Sequence, residues 1–358
     1  MNSSGFRTCL LVLLLLWGNA KVVFAQSGGD GRNYITWNDM KVDDHKSPLR
    51  YIGGNQVKVI VVDKNGRGDS VTVQGAVDMV PINNAERVKI HILPGIYREK
   101  VHIPANKPYI SFIGNEDEAS QSVITWHDKA SDKAANGGWL GTWNSASVTV
   151  ESDYFCATGI TFQNTVIAEV GGVNGFQAVA LRIAGEKAMF YKVRFLGSQD
   201  TLLDETGTHY FFQCFIQGST DFIFGNAKSL YEECAISVVG DGFAVAAQHR
   251  NMADDDTGFS FVNCTVRGTG TIYLGRAWGN YSRIIYSYSD FDIDVRPKGW
   301  DDWRIPSRHK TVVFGEHDCR GRGADRRGRV AWSKALNYLE VKPFLDTRFI
   351  RGEQWLKL

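Results

Sequence analysis

The stretches FYKVRFLG (190–197), FFQCFIQG (211–218), YEECAISV (231–238) and FVNCTVRG (261–268) decide the fold. Three share a loose pattern, aromatic-x-x-small-x-apolar-x-Gly, and YEECAISV keeps its first half. The leading aromatics Phe190, Phe211 and Tyr231 follow one another at 21 and 20 residues. Short runs rich in aromatic and β-branched residues form strands. Their return at twenty-odd residues makes each run part of one coil of a solenoid. The expected architecture is all-β, a parallel β-helix. A β-sandwich accounts for the short strands but not for the period, and two-residue Asn-Gly turns between paired runs are scarce.

Outward from these stretches the β pattern continues through VKVIVV (57–62), VKIHIL (88–93), YISFIG (109–114), ASVTV (146–150) and AVALRI (178–183). Helical periodicity is rare, with Val71 to Val80 the best early candidate. Cys214, Cys234 and Cys264 each lie three residues after an aromatic, and Val193 holds that place one coil earlier. Equivalent positions on successive coils stack about 4.8 Å apart. The column is either a stack of small buried side chains or the seat of a disulfide, with Cys214–Cys234 the first candidate.

The amino terminus has a different character. Arg7 precedes the apolar run Leu10 to Trp17, and Val23-Phe24-Ala25 ends in a small residue. This is the pattern of a signal peptide at 1–25, and the run is too short to span a bilayer. Residues 26–358 then form one domain, and the expected location is extracellular, where disulfides and glycans are allowed. Five cysteines remain after Cys9 leaves, with no C-x-x-C pair, so no metal site is expected. The triplets at Asn263 and Asn280 are candidate glycan acceptors. The 40 Lys and Arg nearly balance the 39 Asp and Glu. Such a balance gives no broad pull toward nucleic acid or an anionic membrane, so an anionic substrate must be gripped locally.

The same period aligns polar residues. Gln177, Gln199 and Asp221 follow one another at 22 and 22 residues, and Asp200 follows Gln199 directly. A coil of about 22 residues places the first three in one column on adjacent coils, with Gln177 opening a strand. Two carboxylates close together beside apolar residues do not both ionise easily, which yields an acid and a base in one site. Glutamine NH2 groups can donate to an oxyanion. Spacing alone leaves open a purely structural polar ladder. In LGRAW (274–278), Arg276 sits between small residues that allow a carboxylate to approach, with Trp278 beside it. That pair suits an acidic sugar polymer, although a surface Arg-Trp stack has the same signature.

Taken together, GIYREKV (95–101), QAVALR (177–182), GSQDTL (197–202), DFIFG (221–225), LGRAW and FIRGEQWL (349–356) resemble, in order, the plant pectin methylesterase (pectinesterase) family over nearly the whole chain. The resemblance implies a right-handed parallel β-helix and carboxylic ester hydrolysis with no metal or other cofactor. It implies Asp221 as nucleophile, Asp200 as general acid and then base, Gln177 and Gln199 as the oxyanion hole, and Arg276 as the holder of the nucleophile. Gln177, Arg276, Trp278, Phe224 and Trp303 are the expected substrate contacts. The implied partners are pectin (methylated homogalacturonan) and a proteinaceous inhibitor, with a monomer secreted to the cell wall and no contact with nucleic acid or membrane. Ala277 and Leu203 depart from the commonest pattern, which has Pro and an aromatic there. The stretch 26–56 is too short for the helical inhibitor-like pro-domain that some members carry.

Two other functions compete. A pectate lyase would need a calcium site, and Asp254-Asp255-Asp256 lacks calcium-loop spacing, so it reads as a solvated loop. A catalytically dead wall-binding protein would not need all five catalytic-type residues.

Overall fold

Each repeat turns a corner at its third residue. Gly159, Lys192, Gln213, Glu233, Asn263, Tyr288 and Asp318 all have left-handed backbone, φ between 46° and 59°. They occupy equivalent places on seven successive coils. One left-handed residue redirects the chain between two strands, as in Ala188–Tyr191 followed by Arg194–Leu196. The aromatic-x-x-small pattern is therefore the signature of this corner.

These observations come from a computed structural model that describes residues 33–42, 49–52, 55–168 and 174–358. The candidate signal peptide, 1–25, lies outside the described residues. Strands one coil apart pair in parallel and stack into three faces of a parallel β-helix. One face, the aromatic sheet, runs from Asn55–Val62 to Val313–His317. A second runs from Gly95–Arg98 through Phe215–Gly218 to Thr265–Ala277. The third, the cleft sheet, holds Val101–Ile103, Val148–Val150, Leu181–Ile183, Leu202–Asp204, Ile223–Gly225 and Ala244–Gln248. The 13-residue strand Thr265–Ala277 runs from the second face into the cleft sheet. Leu49–Ile52 pairs antiparallel with Asn55–Val62.

One hydrophobic core extends from Ile60 to Phe314 inside the coils. Its axis is a ladder of rings, Phe190, Phe211, Tyr231, Phe261 and Tyr286, with successive centroids 4.5–4.7 Å apart and planes within 16° of parallel. Each such buried ring contributes about 1.5–3 kcal/mol of transfer free energy. Beside it Cys214, Cys234 and Cys264 stack as buried free thiols with Val193 one coil before, so the small-residue reading of the column holds and the Cys214–Cys234 disulfide does not form. Burial raises the Cys234 and Cys264 thiols well above the usual range.

Both ends of the coil stack are covered, as a solenoid requires. The helix Val73–Asp78, capped by the Thr72 hydroxyl on the Gly75 N–H, buries Val73, Ala76 and Val77 at the N-terminal end. At the other end Val330 and Trp332 pack onto the core. FIRGEQWL folds back so that Phe349, Ile350 and Trp355 cover the outer side of the aromatic sheet together with Ile35 and Met40. Leu356–Lys357 pairs there with Ile35–Thr36.

Candidate active site

The coils that carry the motifs are 21 residues long in the cleft sheet. Leu181, Leu202 and Ile223 stand in register. This places Asp200 beside Asp221, and Gln199 beside Thr220 through an isolated bridge. The 22-residue column of Gln177, Gln199 and Asp221 holds at its first step, where the Ala178 N–H donates to the Gln199 carbonyl (3.1 Å), and is corrected at its second, where Asp221 faces Asp200 rather than Gln199. Gln177 also does not open a strand, since the strand begins at Leu181. The side chains still converge. Gln177, Gln199, Asp200, Asp221, Phe224, Arg276, Trp278 and Trp303 all line one cleft of about 300 Å³.

Asp200 and Asp221 adopt left-handed backbone, φ 63° and 49°. Asp tolerates this conformation better than most residues, so the tight entry into each strand accepts a carboxylate there. The Asp200 N–H donates to the Thr220 carbonyl (3.0 Å) and the Asp221 N–H to the Ala244 carbonyl (2.8 Å). Backbone on the next coil therefore holds both residues. Gly225 closes DFIFG because the coils touch: a Cβ there would sit 1.8 Å from the Asp204 carbonyl oxygen.

Arg276 lies on the same outward column as Leu203, Phe224 and Ala247. Its Nη1 donates to Asp221 Oδ2 at 3.1 Å, and its Nε lies 3.9 Å from Asp301 Oδ1. The guanidinium stacks on Trp303, 3.3 Å from the ring centre, and lies 4.5 Å from that of Phe243. The stack anticipated beside Arg276 thus forms with Trp303. Trp278 instead packs near Phe224 (6.0 Å) and against His249 (4.0 Å). Small Ala247 and buried Leu203, Phe224, Ala146 and Val179 make an apolar floor under both indoles.

Burial dominates the electrostatics. It pushes the Asp221 carboxyl up to about 6, opposed by Arg276 and aided by Asp301. Oδ1 of Asp221 is buried with no partner among the described residues, so half of the carboxylate lacks stabilisation. Asp200 is pushed well above the usual carboxylate range by burial and by the Asp221 charge, with Arg276 opposing. The Gln177 Oε1 accepts from the Gly175 N–H (2.8 Å), which leaves its NH2 end as the donor.

Thr142, Trp143, Asn174 and Ala247, which no motif in the sequence marked, also line the cleft. Trp143 had a signal, an indole in a Gly-rich stretch, and its Nε1 donates to Glu205 Oε1 (2.8 Å). Ala247 had none. Asp254 is exposed, Asp255 accepts from the Met252 N–H of its own loop, and Asp256 pairs with Lys228 and Arg351. That triplet is the solvated loop expected.

Comparison with known proteins agrees with the fold. The pectinesterase family profile matches residues 59–353. Pectinesterase QRT1 of Arabidopsis thaliana is 56% identical over 98% of this chain and 97% of its own. The solved pectin methylesterase from carrot superposes with a TM-score of 0.74 at 34% identity, covering 83% of this chain and 94% of that one. A pectin methylesterase from Aspergillus niger gives 0.70 at 26% identity, covering 87% and 97%. Fold and relatives define a carboxylic ester hydrolase built on a parallel β-helix. The chain belongs to the pectinesterase family.

Proposed function

We propose that this cleft hydrolyses the methyl esters of pectin, with Asp221 as nucleophile and Asp200 as general acid and base. The observation that carries the reading is the register of the two aspartates on adjacent coils with Arg276 bonded to only one of them. That contact favours the ionised form of Asp221, while Asp200 keeps its proton to higher pH. An Asp221 oxygen attacks the C6 carbonyl carbon of a methylgalacturonate, and the NH2 groups of Gln177 and Gln199 donate to the resulting oxyanion. The carbon–methoxy bond breaks as Asp200 passes its proton to the leaving oxygen, releasing methanol. Asp200, now a carboxylate, takes a proton from water. The hydroxide adds to the acyl carbon, which frees Asp221 and a pectate carboxylate.

Phe224 and Trp278 offer flat faces for the sugar on the apolar floor. Trp303 orients Arg276, so its part in binding is through the guanidinium it stacks on. Secretion to the cell wall, action as a monomer and inhibition by a protein partner belong to the same reading. Among the described residues no helix is long and apolar enough to cross a membrane.

Asp221→Asn tests the assignment. Turnover of a methylated oligogalacturonate, followed by methanol release, should fall by about 1,000-fold or more while binding persists. Turnover above about a tenth of wild type would remove Asp221 from the chemistry.

A further inference from the structure

The hairpin at 132–140 carries a pairing that the proposed chemistry does not use. Lys133 and Trp139 oppose each other across it as an antiparallel bridge. Lys133 Nζ lies 3.7 Å from the centre of the Trp139 ring. The turn is closed by the Gly137 N–H on the Ala134 carbonyl (2.8 Å) and the Ala134 N–H on the Gly138 carbonyl (2.9 Å). Gly137 takes φ 79°, open to glycine at no cost.

Trp139 is 68% exposed, although an indole is among the side chains that gain most from burial. Lys133 is exposed too, and the nearby Asp132 pairs with Lys129 instead (3.8 Å). No carboxylate pairs with Lys133 among the described residues. A flat ring and an unneutralised ammonium therefore stand together in solvent.

The hairpin is tied to the cleft wall. The Ser131 N–H donates to the Gly175 carbonyl (3.0 Å), the Ala130 N–H to the Gln177 carbonyl (2.9 Å) and the Gly141 N–H to the Ala130 carbonyl (2.9 Å). The chain then enters Gly141–Asn144, from which Thr142 and Trp143 line the cleft. Trp139 and Trp143 are four positions apart, so their Cα atoms are at most about 14 Å apart. A polymer that fills the cleft and continues past Trp143 has this pair within reach.

We propose that Trp139 and Lys133 form an accessory subsite for the pectin chain beyond the cleft, and that it takes a galacturonate bearing a free carboxylate. The ring packs against the sugar and the ammonium pairs with the carboxylate. A methyl-esterified unit offers no charge to Lys133. The subsite therefore favours chains already partly de-esterified, whereas the reactive pair needs an ester. The proposal rests on the reading of the cleft as the pectin site.

The test uses the whole enzyme with two substrates, partly de-esterified pectin and a methylated oligogalacturonate too short to leave the cleft. Trp139→Ala should raise KM on the polymer about fivefold, the size of one lost aromatic contact. It should leave kcat, Tm and the short-oligomer kinetics at wild-type values. Trp139→Phe should recover most of the affinity. Lys133→Gln should raise KM on partly de-esterified pectin but not on fully methylated pectin, and high salt should abolish the difference. Wild-type polymer KM in Trp139→Ala would overturn the proposal. So would a fall in kcat on the short oligomer, which would make the hairpin a prop for the Gln177 loop. Calorimetric binding of partly de-esterified oligogalacturonides in an Asp221→Asn background separates this idea from the catalytic assignment. Loss of affinity on adding Trp139→Ala supports the subsite whichever carboxylate does the chemistry. Unchanged affinity sinks it even if Asp221 is the nucleophile.

Discussion

Asp200 and Asp221 are the same residue type on the same face in the same backbone conformation, yet their surroundings differ. Burial raises both, Arg276 bonds directly to Asp221, and the Asp221 charge adds to the rise at Asp200. Activity needs Asp221 ionised and Asp200 protonated. On a short methylated oligomer, kcat/KM should therefore climb through about pH 6 and fall on an alkaline limb set by Asp200. Both limbs belong to the coupled pair. In the residual activity of Asp200→Asn the alkaline limb should vanish, and its survival would mean that another group sets it. The same shifts affect stability. A carboxyl whose folded pKa is raised holds its proton more tightly when folded, so stability is lost as pH rises from about 4 through the folded pKa. Asp200→Asn should therefore melt above wild type at pH 8, with the gap closing toward pH 4. A lower Tm at pH 8 would mean that the ionised carboxylate is stabilised by its surroundings. QDTL and DFIFG announced these two residues, but the spacing of 22 set Asp221 against Gln199 instead of Asp200. Coil length is set by backbone register, and one extra residue moves a side chain to the next position along the strand.

At the scale of elements, the last coils are held by a buried ion cluster. Glu316 is 3% exposed and accepts from Arg329 Nε (3.0 Å), Arg326 Nη1 (2.8 Å) and Trp300 Nε1 (3.4 Å). It ends the aromatic ladder, in register with Tyr286. Removing one partner of a buried pair strands the others, at about 3–5 kcal/mol. Glu316→Gln keeps the volume but removes the charge that Arg329, itself nearly buried, requires. Chemical denaturation should show a loss of about 3 kcal/mol, with kcat per folded molecule unchanged. A loss below about 0.5 kcal/mol would make this a solvent-screened pair. Nothing in KTVVFGEHD (310–318) distinguishes this Glu from a surface one, because its arginine partners lie 10 and 13 residues away on an irregular segment and Trp300 lies 16 residues before it. The aromatic-x-x-small repeat, by contrast, was legible because it returns coil after coil, although the left-handed corner it marks came from the structure.

The coils of the described residues wind around one central core, and its thiols report on that packing. Cys156, Cys214, Cys234 and Cys264 are buried and Cys319 is half-buried, all unpaired. Of these five, a thiol reagent should find at most Cys319 in the native enzyme and all five in denaturant, and reductant should not move Tm. Three reactive thiols in denaturant would point to a bridge. Local chemistry was enough to determine the β-helix, the cysteine column and the residue types of the cleft, because a solenoid repeats short-range patterns that a linear reading can align. Asp221 came from the spacing of 22, Asp200 as the neighbour of Gln199, and Trp278 as the neighbour of Arg276 in LGRAW. Only the tertiary structure decided that Asp221 faces Asp200, that Trp303 stacks on Arg276, and that Ala247 and Trp143 complete the cleft. Those relations cross coils and loops of unequal length. The separation in sequence then no longer measures the separation in space, and backbone register and side-chain packing decide what touches.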